Sequence, residues 1–228
     1  MTSEPMADVR DMYMAHTMFR REFGLAPALI RGVAAGDAGR AQILTEHLDF
    51  VLTILEHHRG EDEHLWPRLL ERAGADAKPV AQTMESQHAG IEEVVGRLHI
   101  RMSGWRGVVS PEDGAGLAED AELLSVLLDE HLQTEEKQAL PMIEQYVTAA
   151  EWGQMVAEGA VGIAPEQMPL IFGLMAYEGD AQTVADVIAT MPAEIAAVIG
   201  DLAAQTYAEY ALRVHGTATP ARIGSRED

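Results

Sequence analysis

Apolar residues recur at three- and four-residue steps through most of the chain, which is the spacing that places side chains on one face of an α-helix. In residues 8–31, for example, Met12 and Phe19 fall on a common apolar stripe. Gly24 and Pro27 interrupt the helix-favouring composition, and we expect them to kink or break this first helix. The pattern therefore predicts a long amphipathic helix at the start of the chain.

Similar stripes predict three more long helices, over residues 40–72, 80–105 and 117–146. A turn is expected at residues 73–79, and the Gly, Pro and Ser content of residues 104–116 predicts a loop. Four long amphipathic helices joined by short connections pack most simply as an up-down-up-down bundle. We therefore predict an all-α protein in which residues 1–147 form an antiparallel four-helix bundle.

The sequence changes in character after residue 147, where short helical segments alternate with Gly and Pro. Thr148 and Glu151 have the Thr-x-x-Glu spacing of a capping box, which restarts a helix. We predict that residues 148–228 are a helical C-terminal extension. This extension carries no chemical motif, and it could cover the open end of the bundle, form a dimer interface or enclose an organic substrate.

Composition and charge exclude several classes of function. The 228 residues carry a formal net charge of −21, which argues against nucleic acid or an anionic membrane surface as partner. The absence of cysteine excludes disulfides, thiolate catalysis and cysteine-ligated metal clusters. No signal peptide or apolar run long enough to span a membrane is visible, so we expect a cytoplasmic protein, as a monomer or homodimer.

The candidate chemistry lies in a repeated pattern of histidine, glutamate and proline. His57 and Glu61 precede Pro67, and His131 and Glu135 precede Pro141 with the same spacing, His-x3-Glu-x5-Pro. Each copy also has a histidine on the preceding predicted helix. His16 lies 41 residues before His57, and His88 lies 43 residues before His131.

This spacing is typical of a metal site in the core of a bundle. Residues four apart lie on one face of a helix, so a histidine and a glutamate at that spacing can reach the same ion or two adjacent ions. A neighbouring antiparallel helix supplies the third ligand. Imidazole and carboxylate without thiolate favour iron or manganese, with zinc as a further alternative.

On these residues the chain resembles the hemerythrin family in its bacterial HHE form, and in particular actinobacterial members with a helical extension. The resemblance covers residues 8–146 and implies a four-helix bundle around a non-heme di-iron centre. It further implies that the irons are held by terminal imidazoles and bridged by two carboxylates together with an oxo or hydroxo group. The implied terminal ligands are His16, His57, His88 and His131, and the implied bridging ligands are Glu61 and Glu135.

The chain departs from the respiratory hemerythrins, which carry two histidines one turn apart on the third helix. Here the residue four positions after His88 is Glu92, and the residue four positions after His16 is Arg20. The ligand set is therefore more symmetric, with Glu92 as a candidate extra oxygen ligand. This pattern is more similar to the iron-centre-repair branch of the family than to oxygen carriers.

Several positions near the predicted ligands have two interpretations. His58 and His47 lie near the middle of the apolar stripe of the second helix, where they either pack in the core or donate a hydrogen bond to an iron-bound ligand. His58 is also an alternative to His57 as the ligand itself. Tyr13, one turn before His16, is a candidate hydroxyl beside the site, and His215 reads as structural or surface.

The resemblance implies a cofactor of two iron ions that binds or reacts with O2, NO or H2O2, with manganese or zinc as second choices. Peroxide or NO turnover would make the protein a di-iron oxidoreductase. The alternative function is non-catalytic, either iron binding and donation or O2 and NO sensing relayed through residues 148–228.

Overall fold

The computed structural model describes residues 4–159 and 162–224, apart from the side chains of residues 60–64. Within these residues the regular structure is helical, and the one extended pairing is an isolated antiparallel bridge between Met6 and Thr148. The helices are α1 (Arg10–Arg31), α2 (Ala38–Ala73), α3 (Ala77–Gly107), α4 (Pro111–Thr134), α5 (Leu140–Tyr146), α6 (Ala149–Gly159), α7 (Met168–Ala176), α8 (Ala181–Thr190), α9 (Ala193–Ala196) and α10 (Ile199–His215). A π-helical turn, Glu135–Ala139, joins α4 to α5, and a 3-10 turn, Pro165–Gln167, precedes α7.

The first four helices form the bundle. They are joined by connections of only three to six residues, so successive helices run antiparallel. Helix α1 packs against α2 and α4, and α3 packs against the same two helices, so each helix of the bundle has two neighbours. The buried side chains of all four helices share one hydrophobic core. The prediction of an all-α, up-down-up-down four-helix bundle is confirmed.

Two local predictions about helix limits are wrong. Helix α4 begins at Pro111 and α3 extends to Gly107, so little of the predicted loop at 104–116 remains. The reason is a strong helix start: the Ser110 side chain accepts a hydrogen bond of 3.0 Å from the Asp113 backbone N–H, and Pro111 occupies the first turn.

The second prediction concerns the first helix, where the break expected as one alternative is absent; the kink expected as the other stays a prediction. Helix α1 continues through Gly24 and Pro27 to Arg31 without a break. Ala26 and Ile30 are almost wholly buried on either side of the proline. Burial of this face in the bundle core holds the helix together where local propensity alone opposes it.

The C-terminal helices pack onto the bundle. The predicted capping box is present, because Glu151 accepts a 3.0 Å hydrogen bond from the Thr148 backbone N–H, and its own N–H is bound by the Thr148 hydroxyl. Helix α7 packs on α1 and on α10, and α10 also contacts α2. Leu174 and Tyr207 belong to the same core cluster as the bundle side chains. The division of the chain into two domains at residue 148 stays a prediction.

The contact between α7 and α10 depends on a glycine. A Cβ atom added at Gly173 would overlap the carbonyl oxygen of Ala203, so the two helix backbones lie in direct contact there. Among the described helices, none combines the length and the apolar character needed to cross a membrane.

Candidate metal centre

Each of the four bundle helices contributes one histidine to a common region of the interior. These are His16 on α1, His58 on α2, His88 on α3 and His131 on α4. The rings pair across the bundle: the centroids of His16 and His58 are 5.4 Å apart, and those of His88 and His131 are 4.6 Å apart. His16, His58 and His131 are buried, and His88 is half-buried.

Of the carboxylates that the structure describes, that of Glu135 lies among these imidazoles. Glu135 is wholly buried, and its Oε2 atom lies 3.2 Å from Nε2 of His16, 3.4 Å from Nε2 of His58 and 3.9 Å from Nε2 of His131. Despite these short distances, neither oxygen of Glu135 makes a hydrogen bond of good geometry with the described residues. A buried charge that lacks hydrogen bonds is costly unless an ion of opposite sign accompanies it. This donor set therefore fits a bound metal cation.

The electrostatics of the centre also favour a cation. Burial raises the pKa of the Glu135 carboxyl, but attraction to His16 and His58 outweighs burial and holds this pKa well below its usual range. Burial lowers the pKa of His131 to about 3, and repulsion from His88 adds to this effect. At neutral pH Glu135 is therefore ionised and His131 is a neutral imidazole, which are the forms that bind metals.

His16 is held in position from its far side. Its Nδ1 atom lies 2.8 Å from Oε1 of Glu136, and the Arg20 guanidinium donates hydrogen bonds of 2.7 and 3.1 Å to the same carboxylate. Arg20 also donates to Asp129 at 2.9 Å. A proton on Nδ1 that is donated to Glu136 leaves the lone pair on Nε2, which faces Glu135. Burial lowers the pKa of His16, but the two carboxylates outweigh burial and raise it, so a positive charge is stabilised here.

Sequence reasoning did not single out Glu136, of whose side chain only 14% is exposed. The signal that could have found it is its position directly after the predicted ligand Glu135, together with Arg20, the cation one turn after His16 on α1. A carboxylate paired to a ligating histidine is a common feature of metal sites.

The structure places His58, and not His57, at the centre. The physical reason is the π-helical turn at Glu135–Ala139, which accommodates an extra residue between His131 and Pro141. Helix α2 is α-helical throughout and has no such extra residue. The residue ten positions before Pro67, His57, therefore lies one position too early, and His58 occupies the place on α2 that corresponds to His131 on α4. The residue of α2 that faces Glu135 is therefore His58, the alternative that the sequence left open.

Comparison with known proteins agrees with this architecture. The profile of the hemerythrin HHE cation-binding domain matches residues 7–143, which is more than half of the chain and includes all of these side chains. The chain belongs to the hemerythrin HHE family. Domains of this family bind metal cations, usually iron, and the histidine and glutamate cluster supplies suitable ligands. No curated protein and no solved structure shows significant similarity to the chain.

A small cavity in this hemerythrin HHE bundle adjoins the centre. It has a volume of about 180 Å³ and is lined by the imidazoles of His58, His88 and His131. Apolar side chains form most of its remaining wall, and they include Leu55 and Leu128. The cavity is therefore large enough for a diatomic molecule or peroxide and offers such a ligand a largely apolar surrounding.

The other predicted site residues lie farther out. The Glu92 side chain is 71% exposed and lies 3.7 Å from the guanidinium of Arg59, and Glu92 lines the cavity beside the centre. Tyr13 is 43% exposed, and its ring centroid lies 6.3 Å from that of His16. Glu61, the predicted second bridging carboxylate, lies outside the described side chains, and its role stays a prediction.

Two further histidines on α2 occupy other surroundings. His57 is half-buried and lines a second cavity together with Trp152 of α6 and Met168 of α7, and His58 also borders this cavity. His47, predicted to line the ligand pocket or pack in the core, does not line the cavity of the centre but lies in a second buried cluster with Glu22.

Proposed function

We propose that the bundle centre holds a pair of iron ions and binds or reacts with a small ligand, namely O2, NO or H2O2. The observation that carries this proposal is the convergence of four imidazoles, one from each bundle helix: those of His16, His58 and His131 surround Glu135, and that of His88 packs against His131. Both oxygens of Glu135 are buried without a hydrogen bond of good geometry to the described residues. Imidazole and carboxylate ligands on facing helices, with no thiolate in the chain, favour iron, with manganese or zinc as second choices.

In this proposal the ligands are His16, His58, His88, His131 and Glu135. Glu61 is the sixth ligand predicted by the repeat, and His57 is replaced by His58. The short distances from one Glu135 oxygen to three imidazoles support this carboxylate as a ligand of the same centre. When bound, the iron would supply electrons and an open coordination position to the small ligand.

The chain's own residues orient the ligands and control access. Glu136 fixes the ring of His16, and Arg20 fixes Glu136. Burial keeps His131 neutral, so its lone pair stays available at neutral pH. Apolar side chains, among them Leu55 and Leu128, line the cavity through which a small ligand would reach the imidazoles.

The ligand assignment is tested by iron content in a matched pair of neighbouring substitutions. His58→Ala is expected to lower the iron bound per chain sharply, whereas His57→Ala, one residue away, is expected to retain it. Circular dichroism checks that both variants fold. Full iron content in His58→Ala, or loss in His57→Ala alone, would show that the register derived from the π-helical turn is wrong.

The reactivity is tested on the reduced, iron-loaded protein under anaerobic conditions. Titration with NO and O2 is expected to change the optical spectrum, and steady-state assays measure consumption of H2O2 or NO. Turnover that disappears in His131→Ala would establish a di-iron oxidoreductase. A spectrum that does not respond to any of the three ligands would contradict the proposed function.

Sensing is a second candidate, favoured by the position of His57. His57 precedes His58 directly on α2. It lines a cavity together with Trp152 of α6 and Met168 of α7. A change at His58 would therefore reach the C-terminal helices over one peptide unit. Ligand binding without steady-state consumption, accompanied by altered hydrogen exchange in α6 and α7, would favour this function over turnover.

A further inference from the structure

A second buried cluster lies where the last helix meets the bundle. Glu22 of α1, His47 of α2 and His215 at the end of α10 bring one ligand atom each within 4.8 Å of one another. The Oε2 atom of Glu22 is 3.0 Å from Nε2 of His215 and 3.5 Å from Nε2 of His47. The side chains of all three residues are at most 3% exposed.

This cluster is separate from the bundle centre. Glu22 follows His16 by six residues on α1, and His47 precedes His58 by eleven residues on α2. At 1.5 Å per residue these steps correspond to about 9 and 16 Å along the helices. Because α1 and α2 are antiparallel, both steps run in the same direction along the bundle. The two clusters are therefore successive layers of one bundle.

His47 presents an unsatisfied nitrogen to this cluster. Its Nδ1 atom lies 2.9 Å from the hydroxyl of Tyr210, whereas its buried Nε2 makes no hydrogen bond with the described residues. Burial lowers the pKa of His47 to about 4, so the ring is neutral at pH 7. A ring whose Nδ1–H is donated to the tyrosine oxygen keeps its lone pair on Nε2, the arrangement seen in metal-ligating histidines.

The two oxygens of Glu22 have different surroundings. Oε1 accepts hydrogen bonds from Arg21 at 2.7 Å and from the Tyr207 hydroxyl at 3.4 Å. Oε2 accepts a hydrogen bond of 3.0 Å from Nε2 of His215 and lies 3.5 Å from Nε2 of His47. Arg21 also pairs with the buried Glu178 at 3.3 Å. Arg21 is therefore shared between two buried carboxylates, and its charge is not directed at Glu22 alone.

Among the described residues, Arg40 is a further cation whose charge acts on His47, and its guanidinium is bound by backbone carbonyl groups. Arg40, which is half-buried, donates hydrogen bonds to the backbone carbonyl oxygens of Arg213 and Val214 at the end of α10. The carboxyl end of a helix carries a partial negative charge, which adds to the attraction for a cation beside His215.

We propose that Glu22, His47 and His215 form a mononuclear site for a divalent cation of the zinc or ferrous class, which fastens the end of α10 to the bundle. Two imidazoles and one carboxylate are an established ligand set for both ions. The three ligands come from the beginning and the end of the chain, so the ion ties elements that are distant in sequence. The site is independent of the di-iron proposal, because the two share no ligand.

The test uses Zn²⁺ as the probe on the full chain. Metal content after equilibration with Zn²⁺ and removal of excess is compared between wild type, His215→Gln and His47→Gln. His99→Gln, an exposed position on α3, is the matched control. Wild type and His99→Gln are expected to bind one more ion per chain than either cluster variant. His131→Ala is expected to keep this ion, which separates the result from the fate of the bundle centre.

Hydrogen exchange of α10 supplies the second readout. Zn²⁺ is expected to slow exchange in the last turns of Ile199–His215 in wild type and in His131→Ala, but not in His215→Gln. Because His215 ends its helix, this substitution leaves the packing of α10 intact, and His47→Gln repeats the test from α2. Equal metal content in all variants, together with zinc-independent exchange, would overturn the proposal, since the hydrogen bond between His215 and Glu22 would then have a purely structural role.

Discussion

The role of Glu136 in holding His16 provides the sharpest single test of how the bundle centre is organised. The perturbation is Glu136→Ala, which removes the carboxylate that lies 2.8 Å from Nδ1 of His16. His16 is wholly buried, so the released N–H loses a charge-assisted hydrogen bond where water does not replace it. Loss of an outer partner of this kind costs about 10–100-fold in metal affinity, or about 1.4–2.7 kcal/mol.

The conservative variant Glu136→Gln keeps an acceptor for His16 but loses the charge, so its affinity is expected to fall between those of wild type and Glu136→Ala. Glu130→Ala, an exposed glutamate at the same end of the bundle, is the matched control and is expected to behave as wild type. Affinity is measured anaerobically by competition of Fe²⁺ against a chelator. An affinity of Glu136→Ala indistinguishable from that of wild type would refute the positioning of His16 by this carboxylate.

Three further predictions concern stability and are measured by urea unfolding. Gly173→Ala forces a Cβ atom into a carbonyl oxygen of α10 and is expected to destabilise the protein by about 1–3 kcal/mol. The matched control is Gly153→Ala, whose Cβ atom meets no atom within 4 Å; it is expected to stabilise the protein by about 0.5–1 kcal/mol. Ser110→Ala removes the cap of α4 and is expected to cost about 0.5–2 kcal/mol; an unchanged midpoint would show that the cap is dispensable. Hydrogen bonding to Arg72 lowers the pKa of Glu151 from 4.5 to about 2, so the stabilising effect of this carboxylate is complete above pH 4.5 and is lost as the pH falls towards 2. The stability difference between wild type and Glu151→Gln should shrink over that interval, and a constant difference would contradict the assignment.

Most of the fold could be predicted because apolar periodicity and capping are local properties. The long helices, the capping box at Thr148 and the short C-terminal helices all follow from residues close together in sequence. The glycines of residues 104–116 suggested a loop, but Ser110 and Pro111 start a helix within this segment. The expected break at Pro27 failed for the opposite reason, because the packing that holds that turn in a helix comes from other helices.

The candidate site could be predicted only in part. Spacing along the helices identified His16, His88, His131 and Glu135, which the structure brings into one region. It could not identify the π-helical turn after His131, whose extra residue moves the facing position on α2 from His57 to His58. Because the two motifs have identical spacing in the sequence, the sequence alone does not reveal this one-residue change of helical register.

Interactions between distant segments were out of reach of sequence patterns. The pairing of Glu136 with Arg20 joins residues 116 positions apart, and that of Glu22 with His215 joins residues 193 positions apart. Each of these residues looks like a solvated charge or a surface histidine in isolation. Only the packing of α10 against α1 and α2 brings the second cluster together.

The central claim is that the bundle holds two iron ions close enough to share Glu135. Mössbauer spectroscopy of ⁵⁷Fe-loaded, oxidised protein tests it most directly, because ferric ions that share bridging ligands couple magnetically and isolated ones do not. The account predicts a spin-coupled pair that accounts for about two irons per chain and is absent from His58→Ala. A spectrum that contains only isolated ferric ions would contradict it.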